Sequence, residues 1–252
     1  MLSDSILQQH LSQPFRYLPS VDSTNDVAQQ WLRDGALAGN AIIADEQRAG
    51  RGRRGRTWYT PPAVALAVSI ILKTQTQFAS RASMVGALAV YDLCIHLDIP
   101  ANDVVIKWPN DVLISGKKVS GILPEAVWQR DTLLGIVLGI GVNVRNQFTD
   151  DLAETATTLE NATEKSLDRA ILLAYLIDRV NHWSKYMATK TVPNTWRERL
   201  VTIGQDVTVT GSQLTIVGKA VDVEQDGTLL IQKSDGSIQR VMAGDVSLRP
   251  RN

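Results

Sequence analysis

The stretch from Arg48 to Arg56 reads RAGRGRRGR and holds five arginines and three glycines. Glycine leaves the backbone free to approach a ligand closely. Each arginine offers a planar fork of N–H donors that matches a phosphate or a carboxylate group. The stretch is not a P-loop, because it lacks the pattern G-x-x-x-x-G-K-[ST]. It is a candidate cradle for another anionic ligand, such as a nucleotide or an activated acid, and we call residues 48–56 the arginine loop.

Two apolar runs flank the arginine loop. Residues 41–44 precede it, and residues 64–72 follow after Trp58 and a short break of two prolines. Both runs are typical of buried strands, so we predict that the loop joins two strands of a sheet. A solvated flexible loop and a nucleic-acid-binding arm are alternative interpretations. The balance of 26 basic against 26 acidic residues argues against the second, since nucleic-acid-binding proteins usually carry a broad basic face.

Four further segments place polar side chains or glycines beside predicted elements. The sequence STN at 23–25 precedes a predicted helix, where ordinary helix capping is the simpler interpretation. KWPND at 107–111 follows a short strand, and KKVSGIL at 117–123 begins the return strand of a hairpin. A plain hairpin with surface lysines would explain both without a ligand. GIGVN at 139–143 ends a long apolar strand.

The predicted hairpin carries residues that suit phosphate chemistry. Asp111 could help to hold Mg²⁺, which prefers one or two carboxylates together with phosphate oxygens. Lys118 could neutralise negative charge on a phosphate. Gly121 would let the backbone approach a ligand. The hairpin and the arginine loop together therefore favour a site for a nucleotide or an activated acid.

Composition disfavours several other kinds of site. Cys94 is the only cysteine, which excludes an internal disulfide and fits a reducing cytoplasm, and we predict a buried, inert thiol. The three histidines are scattered without metal-ligand spacing. The first residues lack a signal-peptide pattern, and no run of about 18 apolar residues occurs. We therefore expect a cytoplasmic protein without a membrane span.

Sequence periodicity predicts an α+β protein with two domains. One core helix is expected at about 80–97 and another at about 166–187, where the apolar residues recur on one face. After Gly204 the pattern changes to five short strands separated by tight-turn signals such as Asp-Gly. These strands predict a small β-barrel. We accordingly divide the chain into domains 1–202 and 203–252.

The sequence GRGRRGR, followed closely by Trp58 and accompanied in order by the four segments above, resembles the signature of biotin protein ligases. The resemblance implies the catalytic core of biotin and lipoate ligases, a class II synthetase-like mixed sheet with helices, followed by an SH3-like barrel. One departure is Pro124, which stands where the family usually has an aliphatic residue. Because proline lacks an N–H donor, the pairing of its strand is in doubt.

The resemblance also implies an activity, in which biotin attacks ATP to give biotinyl-5′-AMP and pyrophosphate. A lysine of a biotin carboxyl carrier protein domain, a subunit of acetyl-CoA carboxylase, then accepts the biotin. ATP, Mg²⁺ and biotin are the implied cofactors and substrates. Some members of the family carry an N-terminal helix-turn-helix domain and repress transcription. The residues before Ser20 are too few for such a domain, so we expect a short form that does not bind DNA.

The resemblance further implies roles for individual residues. Lys118 and Arg53 are the implied catalytic residues, and Asp111 is the candidate Mg²⁺ ligand through ATP. The implied biotin-binding residues are Ser23, Thr24, Asn25, Gln47, Gly50, Arg51, Gly52, Arg53, Lys118 and Gly121. The implied ATP- or adenylate-binding residues are Arg51, Arg53, Arg56, Trp58, Asn110, Asp111, Lys118 and Asn143.

Several alternatives stay open at the level of the sequence. A lipoate or octanoyl ligase shares the implied architecture, although the arginine loop and the KWPND segment favour biotin. A nucleic-acid-binding protein would instead show strongly salt-dependent affinity for DNA or RNA. An edge strand of the sheet could pair with a second copy of the chain or with the acceptor. The C-terminal barrel could brace the first domain, close over ATP or receive the acceptor.

Overall fold

The computed structural model describes residues 1–210, 215–242 and 244–248. Its larger sheet has seven strands in the order β1-β2-β3-β7-β6-β5-β4. The strands are β1 (Phe15–Val21), β2 (Ala41–Gln47), β3 (Ala65–Leu72), β4 (Val104–Lys107), β5 (Asp111–Ile114), β6 (Lys117–Gln129) and β7 (Thr132–Asn143). β1 and β2 are parallel and the other neighbours are antiparallel. This sheet confirms the predicted mixed α+β core, with the arginine loop between β2 and β3.

Seven α-helices accompany the two sheets in the described chain. They are α1 (Asp4–His10), α2 (Thr24–Arg33), α3 (Ala82–His96), α4 (Asp150–Ala153), α5 (Leu159–Thr163), α6 (Arg169–Ser184) and α7 (Thr191–Glu198). α6 begins at Arg169, later than the predicted start near residue 166, because Asp168 caps it and accepts a hydrogen bond from the Ala170 amide at 2.8 Å. It also ends at Ser184, before the predicted Met187.

Helices cover both faces of the seven-stranded sheet. All eight residues of β3 are buried, as expected for a continuous apolar run covered on both sides. On one face α2 contributes Ala28 and Leu32 to a small apolar cluster. On the other face α3 and α6 form the main core. The stretch Thr76–His96 is long and apolar enough to cross a membrane, but 61% of its most apolar part is buried inside the protein, as expected when α3 is a core helix.

Pro124 does not disturb the pairing of β6. It faces Leu138 of β7 in a ladder that keeps its register from Ser120 to Val127. The pairing of β5 with β6 ends at Gly121, so this part of β6 has a neighbour on one side only. Because the Ile122 amide points toward β5, where it donates to Asn110 O at 3.0 Å, the nitrogen two residues later faces the open edge. Proline is tolerated at such an edge position, which resolves the doubt raised by the sequence.

The C-terminal strands form a second, antiparallel sheet in the order β11-β10-β9-β8-β12. They are β8 (Asp206–Thr210), β9 (Thr215–Val223), β10 (Leu229–Gln232), β11 (Ile238–Val241) and β12 (Asp245–Leu248). Gly227 and Gly236 take positive φ values of 90° and 82° in the turns between β9, β10 and β11, as the Asp-Gly signals predicted. The five predicted strands are therefore present. The boundary between residues 202 and 203 stays a prediction.

Candidate active site

One pocket collects most of the side chains selected from the sequence. It lies between the start of α2, the arginine loop, the turn before β5, and β6 and β7. The predicted residues that line it are Ser23, Thr24, Asn25, Gln47, Arg51, Gly52, Arg53, Arg56, Trp58, Asn110, Asp111, Lys118 and Gly121. These residues come from four separate segments, so only the folded chain brings them together.

The arginine loop has a compact backbone that explains its glycines. The Trp58 amide donates to Gly50 O at 2.8 Å, and the Gly52 amide donates to Arg56 O at 2.6 Å. A Cβ on Gly50 would lie 2.4 Å from Trp58 O, so no larger residue fits there. Arg54 takes φ 56°, and Gly55 follows with φ 74° at the tip. The loop is thus folded against itself and presents its arginines from a defined backbone.

Trp58 lies on a floor made by glycines of the central strands. A Cβ on Gly141 would lie 2.3 Å from the Cε2 and Nε1 atoms of the Trp58 indole, and one on Gly121 would lie 3.2 Å from its Cζ3. Lys118 Nζ is 5.5 Å from the centre of the indole ring, within cation–π range. The buried Trp58 Nε1 has no hydrogen-bond partner among the described residues. The glycines of β6 and β7 therefore admit a flat ring close to the backbone.

The start of α2 forms the polar wall of the pocket. The backbone amide of Thr24 donates to Gln47 Oε1 at 2.9 Å, and Thr24 Oγ1 lies 3.0 Å from the same oxygen. Ser23 occupies the N-cap position, but its hydroxyl does not cap the helix. Ordinary capping, the simpler interpretation of this segment, therefore does not explain Ser23. Thr24 and Asn25 are also buried, and a buried polar cluster at a pocket wall can recognise a neutral polar group.

Asn110 joins the arginine loop to the turn before β5. Its side-chain nitrogen donates to Ile122 O at 2.7 Å, and its side-chain oxygen accepts from Arg53 Nη1 at 3.2 Å. The preceding Trp108–Pro109 peptide is cis. Arg53 also donates to Gly244 O at 3.5 Å, and Val246 lines the pocket. The C-terminal sheet therefore contacts both the arginine loop and the pocket.

Lys118 and Asp111 form an ion pair at the pocket wall. Lys118 Nζ is 2.7 Å from Asp111 Oδ1, and the two side chains are 33% and 22% exposed. The backbone of Lys118 is fixed as well, because its amide donates to Thr155 O at 2.8 Å and its carbonyl accepts from the Thr157 amide at 2.9 Å. A fixed lysine beside an acid can meet a phosphate and a metal ion together.

Two of the predicted site residues do not line the pocket. Gly50 does not face the pocket, and the space beside its Cα is taken by Gln47 and Trp58 O. Asn143, at the end of β7, donates from its side chain to Thr157 O at 3.1 Å and to Lys118 O at 3.4 Å. It therefore fixes the backbone next to Lys118 in this structure, and its role as an adenine contact stays a prediction.

Sequence reasoning missed two acids that hold the arginine loop. Arg51 forms two hydrogen bonds of 2.7 Å with Asp26 and lies 3.2 Å from Glu125 Oε2. The hydrogen bonds with Asp26, more than the nearby Glu125 charge, raise the pKa of Arg51 above its usual range. Asp26 directly follows the STN segment, and Glu125 follows Pro124, so each acid is adjacent to a residue that the sequence analysis had singled out. What the sequence did not show was that the two acids meet one arginine.

Other candidate groups take no part in the pocket. Cys94 is completely buried in α3, and burial raises the pKa of its thiol to about 12, as expected for an inert cysteine. Within the described ranges no group of three His, Cys, Asp or Glu side chains could enclose a metal ion. A metal ion in the pocket would therefore need oxygens from a bound ligand.

Two protein-family models match the chain. The model of the Biotin/lipoate A/B protein ligase family matches residues 17–143, a range that includes every predicted site residue. The model of the Biotin protein ligase C terminal domain matches residues 202–249, which include β8 to β12. Together the two matches cover both sheets except for the first two residues of β1.

Curated relatives align over most of their length. The Bifunctional ligase/repressor BirA of Bacillus subtilis is 31% identical over 255 residues, covering 98% of this chain and 76% of that protein. The Biotin--[acetyl-CoA-carboxylase] ligase of Paracoccus denitrificans is 32% identical over 229 residues, covering 87% of this chain and 94% of that protein.

Solved structures share the fold described above. The structure titled Biotin protein ligase from Aquifex aeolicus in complex with biotin and ATP has a TM-score of 0.76 and 29% identity, covering 95% of this chain and all of that one. Its likeness includes the larger sheet and the C-terminal sheet, since so much of both chains is covered. From the family model over residues 17–143 and the relatives above 30% identity, this chain belongs to the biotin/lipoate A/B protein ligase family.

Proposed function

We propose that this protein is an ATP-dependent biotin–protein ligase. It activates biotin as biotinyl-5′-AMP and transfers it to a lysine of a biotin carboxyl carrier protein domain. One observation carries the proposal: the arginine loop, the start of α2 and the Lys118–Asp111 pair line a single pocket. Relatives named biotin–[acetyl-CoA-carboxylase] ligase and a structural neighbour with biotin and ATP agree with it.

In the first step, a carboxylate oxygen of biotin attacks the α-phosphorus of ATP and pyrophosphate leaves. The bond from the α-phosphorus to the bridging oxygen breaks, and that oxygen departs with pyrophosphate. No enzyme nucleophile is required, so the chain contributes position and charge. Lys118 supplies positive charge from the pocket wall, and Arg53 and Arg56 supply donors for the phosphates from the loop.

Biotin binds at the α2 side of the pocket in this proposal. Its ureido ring is neutral and polar, so it needs paired donors and acceptors rather than charge. Ser23, Thr24 and Gln47 meet that need, and the Ser23 hydroxyl is not used as a helix cap. The glycine floor at Gly121 allows close approach of the ligand to the backbone.

In the second step, the acceptor lysine amine attacks the acyl carbon of biotinyl-5′-AMP. The bond between that carbon and the phosphate oxygen breaks, AMP leaves with the electron pair, and the amine loses a proton to form the amide. The arginine loop covers the adenylate and keeps it from water. Its fold across Gly52 and Arg56 and its hydrogen bond to Gly244 O are the contacts that support this role.

Asp111 is the residue that would hold Mg²⁺ in this pocket, together with phosphate oxygens. The side chains fit such an ion, because Mg²⁺ on a nucleotide commonly takes one or two carboxylates from the protein. When bound, the ion would neutralise charge on the triphosphate. Lys118 Nζ lies 2.7 Å from Asp111 Oδ1, so its positive charge would act on the same phosphates.

The proposal extends to partners and location. The acceptor is a carrier domain of acetyl-CoA carboxylase, and no DNA partner is expected. The proposed location is the cytoplasm, where carrier proteins, ATP and biotin are available. A homodimer formed through an open sheet edge is part of the proposal, and size measurement in solution tests it.

The deciding experiment is pyrophosphate release from ATP and Mg²⁺ without any acceptor protein, with biotin, lipoate and octanoate in parallel. We expect a burst of about one equivalent per enzyme with biotin alone, because the adenylate stays bound. A burst with lipoate or octanoate instead would identify a ligase for that acid. No burst from folded protein, combined with salt-dependent binding to DNA or RNA, would overturn the ligase proposal in favour of a nucleic-acid-binding protein.

A further inference from the structure

Glu125 is an acid at the edge of the pocket that receives three side-chain donors. Its Oε2 atom accepts from Asn25 Nδ2 at 2.5 Å and from Gln29 Nε2 at 3.1 Å, both on α2. The same oxygen accepts from Arg51 Nη2 at 3.2 Å. The Glu125 side chain is 29% exposed, so these bonds are partly shielded from water. One carboxylate therefore joins the start of α2 to the arginine loop.

Glu125 also fixes the orientation of the Asn25 amide. The nitrogen of Asn25 points to Glu125 and to Leu123 O at 3.3 Å, while its oxygen lies 2.6 Å from Ser69 Oγ. A Cβ on Gly139 would lie 2.4 Å from that oxygen, so the amide rests directly on β7. Charge-assisted bonds such as the one to Glu125 are stronger than neutral ones. The carboxylate and Leu123 O, which can both only accept, hold the amide nitrogen toward β6, and the bond to the carboxylate is the charge-assisted one.

Arg51 is held on its other side by Asp26. The guanidinium makes two bonds of 2.7 Å to this acid, in the paired geometry that gives such contacts their specificity. Asp26 and Glu125 thus fix the part of the arginine loop that precedes Gly52. In this structure the Arg51 guanidinium contacts both acids and holds the loop against them, and its role as a biotin and adenylate contact stays a prediction.

We infer that Glu125 is a positioning residue that couples biotin recognition at the start of α2 to the seating of the arginine loop. It holds the Asn25 amide and the Arg51 guanidinium with one carboxylate, and Asp26 supports it through Arg51. This inference rests on the proposed function for its link to biotin. The anchoring of the loop itself can be tested without any activity.

The test compares Glu125→Gln with Glu224→Gln. Glu224 is a suitable control, since it is 34% exposed and pairs with Arg240 at 2.5 Å, in the C-terminal sheet. Glutamine keeps the size of Glu125 but loses the charge and one acceptor. We expect Glu125→Gln to raise KM for biotin about tenfold while changing kcat less than about threefold, and Glu224→Gln to leave both unchanged. A biotin KM equal to that of the unmodified protein, in folded Glu125→Gln, would overturn the coupling.

Limited trypsin digestion without ligands tests the anchor separately, because the arginine loop contains several cleavage sites. Glu125→Gln should be cleaved within the loop about tenfold faster than the unmodified protein or Glu224→Gln, with unchanged thermal unfolding. Asp26→Asn should also accelerate cleavage, because it weakens the second contact of Arg51, although the Asp26 side chain is more exposed than that of Glu125. If the unmodified protein, Glu125→Gln, Glu224→Gln and Asp26→Asn are all cleaved in the loop at equal rates, Glu125 does not anchor the arginine loop.

A double-mutant cycle tests whether Glu125 acts through Arg51. If it does, Glu125→Gln combined with Arg51→Met should be cleaved no faster than the more affected single variant. Cleavage is counted only after Arg53, Arg54 and Arg56 in all of these proteins, because Arg51→Met removes the trypsin site at residue 51. Additive effects would show that the two residues act independently and would overturn the coupling. If the unmodified protein releases no pyrophosphate with biotin, the proposed function fails while the digestion result still decides the anchor.

Discussion

At the scale of single residues, the pair of Lys118 and Asp111 has the most direct consequence for chemistry. The backbone of Lys118 is held on both sides by residues 155–157, so its side chain starts from a fixed point. Preorganised charge of this kind needs no rearrangement when negative charge builds up on a phosphate. A lysine on a mobile surface hairpin would lack that advantage. The backbone hydrogen bonds of Lys118 show that it does not lie on such a hairpin.

Replacing Lys118 by alanine should therefore slow biotin-dependent pyrophosphate release. We expect a decrease in rate of about 100-fold, the usual effect of removing one preorganised electrostatic group. The measurement is single-turnover formation of the adenylate at saturating biotin and ATP. Lys117→Ala is the matched control, because Lys117 is exposed and its Nζ donates only to Ala153 O at 2.9 Å among the described bonds. Equal rates of adenylate formation in Lys118→Ala and Lys117→Ala would show that Lys118 is an ordinary surface charge.

The residue scale also shows the limit of prediction from sequence. The resemblance of several segments to one family's signature implied a common site for Lys118, Asp111 and the arginine loop, and in the structure they line one pocket. The meeting of Asp26 and Glu125 at Arg51 depends on how α2 crosses β6, which no local pattern encodes. A deduction from composition alone would have left those acids on the surface.

At the scale of elements, β6 shows how one strand accommodates an unfavourable residue. It is central near Ser120, where β5 and β7 both pair with it, and it becomes an edge beyond Gly121. Sequence periodicity identified the strand and the loss of a donor at Pro124. It could not show that β5 ends before the proline, because strand ends are set by the partner strand and the turn before it.

The edge position of Pro124 predicts a small effect of its replacement. Pro124→Val restores an N–H that faces the open edge, so the free energy of unfolding should change by less than about 1 kcal/mol in urea titrations. The contrasting variant is Leu138→Pro at its ladder partner, which lies between β3 and β6. There the loss of an internal ladder bond and of a buried side chain should cost about 3 kcal/mol or more. A large effect of Pro124→Val would show that its nitrogen faces β7.

At the scale of the whole molecule, the buried side chains of Trp108 and Arg81 join the C-terminal sheet to the rest of the described chain through polar contacts. Trp108 Nε1 donates to Gly227 O at 2.8 Å, in the turn between β9 and β10. Arg81 donates to Gln225 O at 3.0 Å, and also to Met187 O at 3.0 Å and Thr189 O at 2.9 Å. The sequence left open whether this sheet braces the first domain or closes over the pocket. These contacts hold the C-terminal sheet against Arg81 and Trp108, and Gly244 and Val246 bring the same sheet to the pocket. Whether the sheet also closes over ATP or receives the acceptor stays a prediction.

The three carbonyls bound by Arg81 lead to a prediction about cooperativity. Arg81 is only 9% exposed, so removing its guanidinium in Arg81→Met leaves three carbonyls without their donor in a region with little water. We expect the free energy of unfolding to fall by about 3 kcal/mol and calorimetry to resolve two transitions, because the sheets would no longer unfold together.

Arg197→Met is the control at the same junction, since Arg197 and its partner Asp222 are 47% and 41% exposed. It should change stability by less than about 1 kcal/mol and preserve a single transition. If Arg81→Met instead unfolds in one transition at the original temperature, the turn at Gln225 is held mainly by apolar packing around Trp108 and Met84.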